Sequence, residues 1–248
     1  MMRQLLKILG WIGIAAWFVV ILGFVSGEAD QVICKRIEVI LSDTIQNRFV
    51  TESDIRTLLH SGGVELQGYP IHAINTRKME GILEENAYIR EAEICTDITG
   101  TLEVWIEQRV PLVRIMPRES RGYYLDTEGK TMPLSEQFTP HIMLLSGYLD
   151  GVDDQEEQLQ EIYRFCSYIA DHPFWSDQIV QIYRNRKGEY ELIPRVGAHQ
   201  ILFGDMDMWD KKLRNLEMLY EQGFPIYGWN TYEVINLKYT NQVICTKR

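Results

Sequence analysis

The 248 residues are 46% apolar and 24% charged, a balance that excludes a disordered stalk and predicts a body with a real core. Thirty-five acidic against 25 basic residues give a net charge of −10, which argues against nucleic acid and against anionic lipid head groups as partners. Arg3 and Lys7 are the only charged side chains among the first 27 residues, so the remainder carries a net charge of about −12.

Residues 8–25 form an uncharged run of 18. At 1.5 Å of rise per residue such a helix measures about 27 Å, and Ser26 and Gly27 bring it to the roughly 30 Å of a bilayer's hydrocarbon core. Arg3 and Lys7 precede the run, whereas Glu28 and Asp30 follow it. The positive-inside rule therefore predicts a cytoplasmic tail at 1–7, a transmembrane helix at 8–27, and a body outside the cytoplasmic membrane. A cleaved signal peptide is the alternative, with Val25, Ser26 and Gly27 as its small residues. The run exceeds the 7 to 15 residues usual for a signal core, which favours a retained anchor.

Next, β-branched residues over 32–41 predict a strand. Thr51, with Asp54 three positions on, reads as a helix N-cap, and Ile55, Leu58 and Leu59 follow at helical spacing. Gly62, Gly63, Gly68 and Pro70 break the chain. Asn75 or Thr76 caps a second helix whose Met79, Ile82 and Leu83 form one apolar stripe. Two strands over 89–96 and 101–108 flank a short turn containing Gly100. In the second, Leu102, Val104 and Ile106 alternate with Glu103, Trp105 and Glu107. Strand, helix, helix, strand, strand within about 75 residues predicts one small sheet with both helices on one face. Trp105, on the polar side, reads either as a contact anchor or as packed beneath the next domain, with packing favoured.

An anchor, this module, and then IEQRVPLV at 106–113 resemble the bacterial cell-division family FtsQ, called DivIB in Gram-positive bacteria. Its first exported module is a POTRA domain, typically closing on a segment like V-x-E-R-x-P-V-A. Here Gln108 stands between Glu107 and Arg109, a departure from that pattern. GYYLDTEGK at 122–130 is similar to the family's Y-x-L-V-D-x-x-G hairpin, in which Asp126 and Gly129 supply the turn. LLSG at 144–147 is similar to its P-x-L-x-G element, with the proline displaced to Pro140.

Over 155–170, Leu159, Ile162, Phe165, Cys166 and Ile169 form an apolar helix face, stopped by His172 and Pro173. Strands are predicted at 178–183, 190–194 and 199–203, the last running into Gly204. Asp207, with Asp210 three positions on, reads as the cap of a helix that carries Trp209, Leu213, Leu216 and Tyr220 on one side and ends at Gly223 and Pro225. Residues 234–245 are similar to the family's closing I-D-L-R-Y-x-x-x-V-V, with Asn236 in place of aspartate and Lys238 in place of arginine. The implied fold class is α+β. It comprises the transmembrane helix, a POTRA domain (β-α-α-β-β) over 32–110, and an FtsQ-type β-rich domain with two helices over 111–248.

No GxSxG elbow, HExxH, phosphate loop or SxxK is present. His60, His72, His141, His172 and His199 are scattered, and Asp205 with Asp207 reads as helix capping. No catalytic residue, metal ligand or cofactor is predicted. Cys34, Cys95, Cys166 and Cys245 have no metal-site spacing and are expected to be buried free thiols, with one disulfide as the alternative.

Binding through a strand edge is what remains. Over 234–244, Lys238, Asn241 and Gln242 interrupt an otherwise apolar strand, as suits a part-exposed edge, although pattern alone equally lets Tyr239 and Val243 complete a core. The resemblance tips the balance. It implies that FtsB-like and FtsL-like coiled-coil division proteins dock at Lys238, Tyr239 and Asn241, with Gln242, Val243 and Ile244 as neighbouring strand. The function so implied is a non-catalytic, single-pass inner-membrane scaffold of the divisome, its body periplasmic at the septum, that helps place septal peptidoglycan synthesis. No small-molecule substrate is expected. A POTRA-bearing envelope transport or assembly factor is the alternative, and a secreted enzyme a third.

Overall fold

The computed structural model describes residues 11, 13–20, 32–42, 48–61 and 66–248. Residues 11 and 13–20 are helical, with Trp11, Trp17 and Phe18 exposed. The rest of the expected span over 8–27 lies outside the described residues, and among those described no helix is long and apolar enough to cross a membrane. The chain divides into two compact units, Met1–Gln108 and Arg109–Arg248.

In the first unit, β1 (Arg36–Ser42), α1 (Glu52–Ser61), α2 (Thr76–Glu84), β2 (Ile89–Thr96) and β3 (Thr101–Gln108) follow the predicted order. The strands lie in the order β1-β3-β2, with β1 parallel and β2 antiparallel to β3. Thr51 and Asp54 form a reciprocal capping box, the Thr51 N–H donating to Asp54 Oδ2 (2.8 Å) and the Asp54 N–H to Thr51 Oγ1 (3.3 Å). Asn75 caps α2, its Oδ1 accepting from the Lys78 N–H at 3.0 Å. Ile55, Leu59, Met79 and Leu83 from the helices bury against Ile37, Ala92, Ile94, Leu102, Val104 and Ile106 from the strands, so both helices cover one face of the sheet. Gln108, the departure from the family segment, is itself buried. Its Oε1 accepts the N–H groups of two buried residues, Phe49 (3.0 Å) and Val50 (3.1 Å).

The second unit is a nine-stranded sheet. Its strands are β4 (Pro111–Pro117), β5 (Tyr123–Asp126), β6 (Thr131–Pro133), β7 (Met143–Gly147), β8 (Ile179–Arg184), β9 (Tyr190–Pro194), β10 (Gln200–Gly204), β11 (Tyr232–Asn236) and β12 (Ile244–Lys247). They lie in the order β12-β11-β10-β9-β8-β7-β4-β5-β6. The long α3 (Glu156–Asp171), followed by a single turn at α4 (Trp175–Gln178), makes the crossover between the parallel strands β7 and β8. A second crossover, between the parallel β10 and β11, carries α5 (Trp209–Met218), a π-type turn (Leu219–Gly223) and α6 (Phe224–Tyr227). The sheet thus meets four α-helical segments and a π-type turn where sequence predicted two helices. Ile162, Phe165 and Ile169 of α3 and Leu213 and Leu216 of α5 pack on Val113, Ile115, Leu145, Ile182, Ile201, Phe203 and Ile235 of the sheet. Each such side chain is worth about 1.5–3 kcal/mol of burial.

Two motifs read separately in the sequence meet here. Arg109 Nη1 donates to Asp126 Oδ2 at 2.9 Å, while Asp126 Oδ1 accepts the N–H groups of Glu128 (2.9 Å) and Lys130 (2.8 Å). Gly129 closes the turn at φ +80°, the left-handed region glycine enters without strain. Asp126 is buried and fixes the β5–β6 hairpin from both sides.

Three expectations are corrected. Asp207 does not cap α5. Met208, at φ +49°, holds that position, and Asp205 instead receives the buried Lys212 Nζ at 2.6 Å. Gly223 and Pro225 do not end the helix, because the chain relaxes into a π-type turn and Pro225 falls in the first turn of α6, where a missing N–H costs nothing. Cys34 and Cys166 are buried free thiols, but Cys95 is exposed and Cys245 half-buried. Alternation along β2 puts Cys95 on the side away from the helices.

Candidate functional site: the terminal edge

The closing residues do not form the single strand expected over 234–244. Strand β11 ends at Asn236, whose Oδ1 accepts the Lys238 N–H at 3.0 Å, an Asx turn that lifts the chain out of the sheet. An oxygen acceptor is what this turn needs, and asparagine supplies it as well as the family's aspartate. The chain reverses through 237–243 and returns as β12, antiparallel to β11, with Ile235 opposite Cys245 and Asn236 opposite Ile244. Strand β12 is last in the sheet, so among the described residues only β11 lies beside it and its outer edge is open.

Several bonds hold the turn. The Leu237 N–H donates to the Leu202 carbonyl (2.8 Å), Lys211 Nζ to Asn241 Oδ1 (3.0 Å), and Asn215 Nδ2 to the Thr240 carbonyl (3.1 Å). Lys211 and Asn215 are four apart on α5, one polar stripe facing the turn. Lys238 is paired with Glu189 at 2.8 Å, and its ammonium, with the Asn185 amide, holds the Glu189 carboxyl below the usual range. The Lys238 stem lies over Gly204 (φ +82°), where an added Cβ would come within 3.0 Å of Lys238 Cγ.

The expected site residues therefore divide by role. Lys238 and Asn241 are engaged within the chain, and Val243 packs against the core. Tyr239 is 55% exposed at the turn and Ile244 41% exposed on β12, with Gln242 exposed between them. The supports Lys211, Asn215 and Glu189 were not singled out from sequence; the i,i+4 spacing of the first two was the signal available.

The far end of β12 is tied to a buried histidine. The Arg248 N–H donates to the Thr231 carbonyl (3.2 Å) and its guanidinium to the Ala198 carbonyl (2.6 Å). Next in the chain, His199 is buried, with Nε2 and the Tyr220 hydroxyl 2.6 Å apart and its ring against Phe224. Burial first, and then the Arg248 charge, hold His199 below its ordinary pKa. Among the described residues no group of three or more His, Cys, Asp or Glu side chains is placed to hold a metal ion.

A three-stranded sheet under two helices, followed by a long sheet with an open last strand, defines a POTRA-like module joined to a β-rich one. Family comparison agrees: a POTRA-like domain model matches residues 32–107, and a model described as FtsQ/DivIB, C-terminal related, matches residues 110–246, more than half of the chain. The chain belongs to the FtsQ/DivIB family. It is similar to the cell division protein FtsQ of Rhodothermus marinus, 26% identical over 166 residues that cover 63% of this chain. The match spans 60% of that relative's length.

Proposed function

We propose that this protein is a non-catalytic, single-pass membrane scaffold of bacterial cell division. Its body lies outside the cytoplasmic membrane, where it binds small coiled-coil division proteins of the FtsB and FtsL kind and helps to place septal wall synthesis. The observation that carries this reading is the open edge of β12 in a member of this family. Its backbone donors and acceptors are set to receive an added strand, and the exposed Tyr239 and Ile244 flank it. Backbone bonds supply affinity and the two side chains supply specificity. Lys238, Asn241 and Val243 act by holding the turn and strand in place.

The test is co-purification of the detergent-solubilised full chain with the FtsB-like and FtsL-like proteins of its own organism, beside a Tyr239→Ala variant. Wild type is expected to retain the pair and the variant to bind at least about tenfold more weakly while melting normally, as loss of an aromatic anchor does. Folded wild type that retains neither protein at micromolar concentration overturns the reading.

A further inference from the structure

The outer face of the first unit's sheet violates, in one place, two things the fold alone favours. Trp105, expected to be packed away, sits 46% exposed at the middle of β3, flanked along the strand by Glu103 and Glu107. Both helices lie on the opposite face. The register sets Ile40 of β1 on one side of Trp105 and Glu93 of β2 on the other. One row along, Glu38 stands opposite Glu103; one row the other way, Glu91 stands opposite Glu107. Like charges directly opposite across a sheet are destabilising, and this small face holds two such pairs around an exposed indole.

Among the described residues, the positive charges that pair with these carboxylates are Arg36, with Glu38 at 3.2 Å, and Arg90, with Glu91 at 3.4 Å and also with Glu107, while Lys35 at the corner donates to the Thr99 carbonyl at 3.1 Å. Glu103 Oε2 accepts the Trp105 indole N–H at 3.3 Å, and Cys95 Sγ lies 3.8 Å from Glu93 Oε1. Slight desolvation of the exposed Cys95 thiol against the sheet, and then the neighbouring Glu93, Glu103 and Glu80, raise its pKa, the carboxylate part being what a negative local field requires. Five carboxylates against two guanidiniums leave the face net negative, with an aromatic and an aliphatic side chain at its centre.

We propose that this face is a docking surface for a Lys- and Arg-rich segment of a partner protein, one apolar side chain of which seats on Trp105 and Ile40. Charge complementarity selects the occupant. Basic side chains neutralise the opposed carboxylates, and a cation over the indole adds cation–π attraction. Anionic lipid and nucleic acid are repelled by the same charges. The site is on a different module from the β12 edge, and the inference does not rest on the reading of that edge.

The probe is a fluorescein-labelled basic peptide, KSKLKLKSK, with ESELELESE as its acidic counterpart. Each is titrated by anisotropy into the full chain in a non-ionic detergent. The basic peptide is expected to bind, to weaken as salt rises, and to lose roughly tenfold in affinity in a Glu93→Gln, Glu103→Gln double variant. Trp105→Ala should weaken it comparably and Trp105→Phe less. A control double variant on α3, Glu156→Gln with Glu157→Gln, should bind as wild type does. The exposed Cys95 supplies a second readout, because bound peptide should slow its maleimide labelling, mapped by mass spectrometry, and leave the rate at Cys245 unchanged. Equal binding by wild type and the Glu93/Glu103 variant, equal loss in the α3 control, or binding without protection of Cys95 would each overturn the proposal.

Discussion

The two edges of the nine-stranded sheet are finished in opposite ways. At one end β6 is three residues long and contains Pro133, which has no N–H to offer, while its partner β5 is locked by the buried Asp126. At the other end β12 has no proline and runs as Ile244, Cys245, Thr246 and Lys247 beside the half-buried β11. Short edge strands, proline and charge are the usual means of preventing unwanted pairing. Each edge uses two of them, shortness and Pro133 at β6, shortness and the terminal Lys247 at β12; what differs is that only β12 keeps a backbone N–H at every position. The N–H groups kept along β12 are what the proposed strand addition would use, and Pro133 withholds one at β6.

The comparison can be broken most forcefully at the guarded end. Asp126→Ala leaves the largely buried Arg109 with only the longer pairing to Glu128 at 3.6 Å and removes the acceptor for two turn N–H groups, so it should destabilise the second unit by up to about 3–5 kcal/mol. Thermal melting measures this, and the folded fraction should still hold partners at β12. Loss of partners in proportion beyond the unfolded fraction would mean that the two ends are not independent.

A smaller effect is expected at the open end with pH. His199 has a folded pKa held below its unfolded value, so the unfolded chain binds the proton more readily. Stability from this group is complete above about pH 6.5, the unfolded value, and is lost as pH falls from there toward the folded pKa. Protonation would also set a second positive charge near Arg248, which ties down the end of β12. The melting temperature should therefore drop between about pH 7 and pH 5, and His199→Phe should flatten that drop. An unchanged slope in the variant would assign the pH dependence elsewhere.

The smallest expected change is at β6 itself. Pro133→Val restores an edge N–H and should cost under about 1 kcal/mol. It should, however, produce concentration-dependent self-association in sedimentation velocity that wild type lacks. Absence of association would show that the brevity of β6, and not its proline, guards that edge.

Much of this architecture was legible in the residues. Strand β3 falls where alternation placed it, because a half-buried strand writes its period of two directly into the sequence. Thr51 and Asp54 announced α1 for a similarly local reason. What escaped was decided by contacts distant in sequence. The split of the closing segment into β11 and β12 depends on Asn236 turning its own chain and on Lys211 and Asn215 gripping the turn. None of this is visible in an apolar pattern that continues through Leu237 and Tyr239. Asp207 looked like a cap because Asp210 follows it, but the buried Lys212 draws Asp205 instead and shifts the helix start. Gln108 read as a blemish in a family segment and is a buried acceptor for two backbone donors.

That glutamine and its neighbour carry one more consequence. Gln108 spends its side chain inside the first unit, on Phe49 and Val50, and Arg109 spends its own inside the second, on Asp126. In sequence, the boundary between the two units falls at the peptide bond joining these residues. A chimaera joined there carries each cassette with its own clasp, whereas a junction moved one residue either way transplants the clasp to the wrong side.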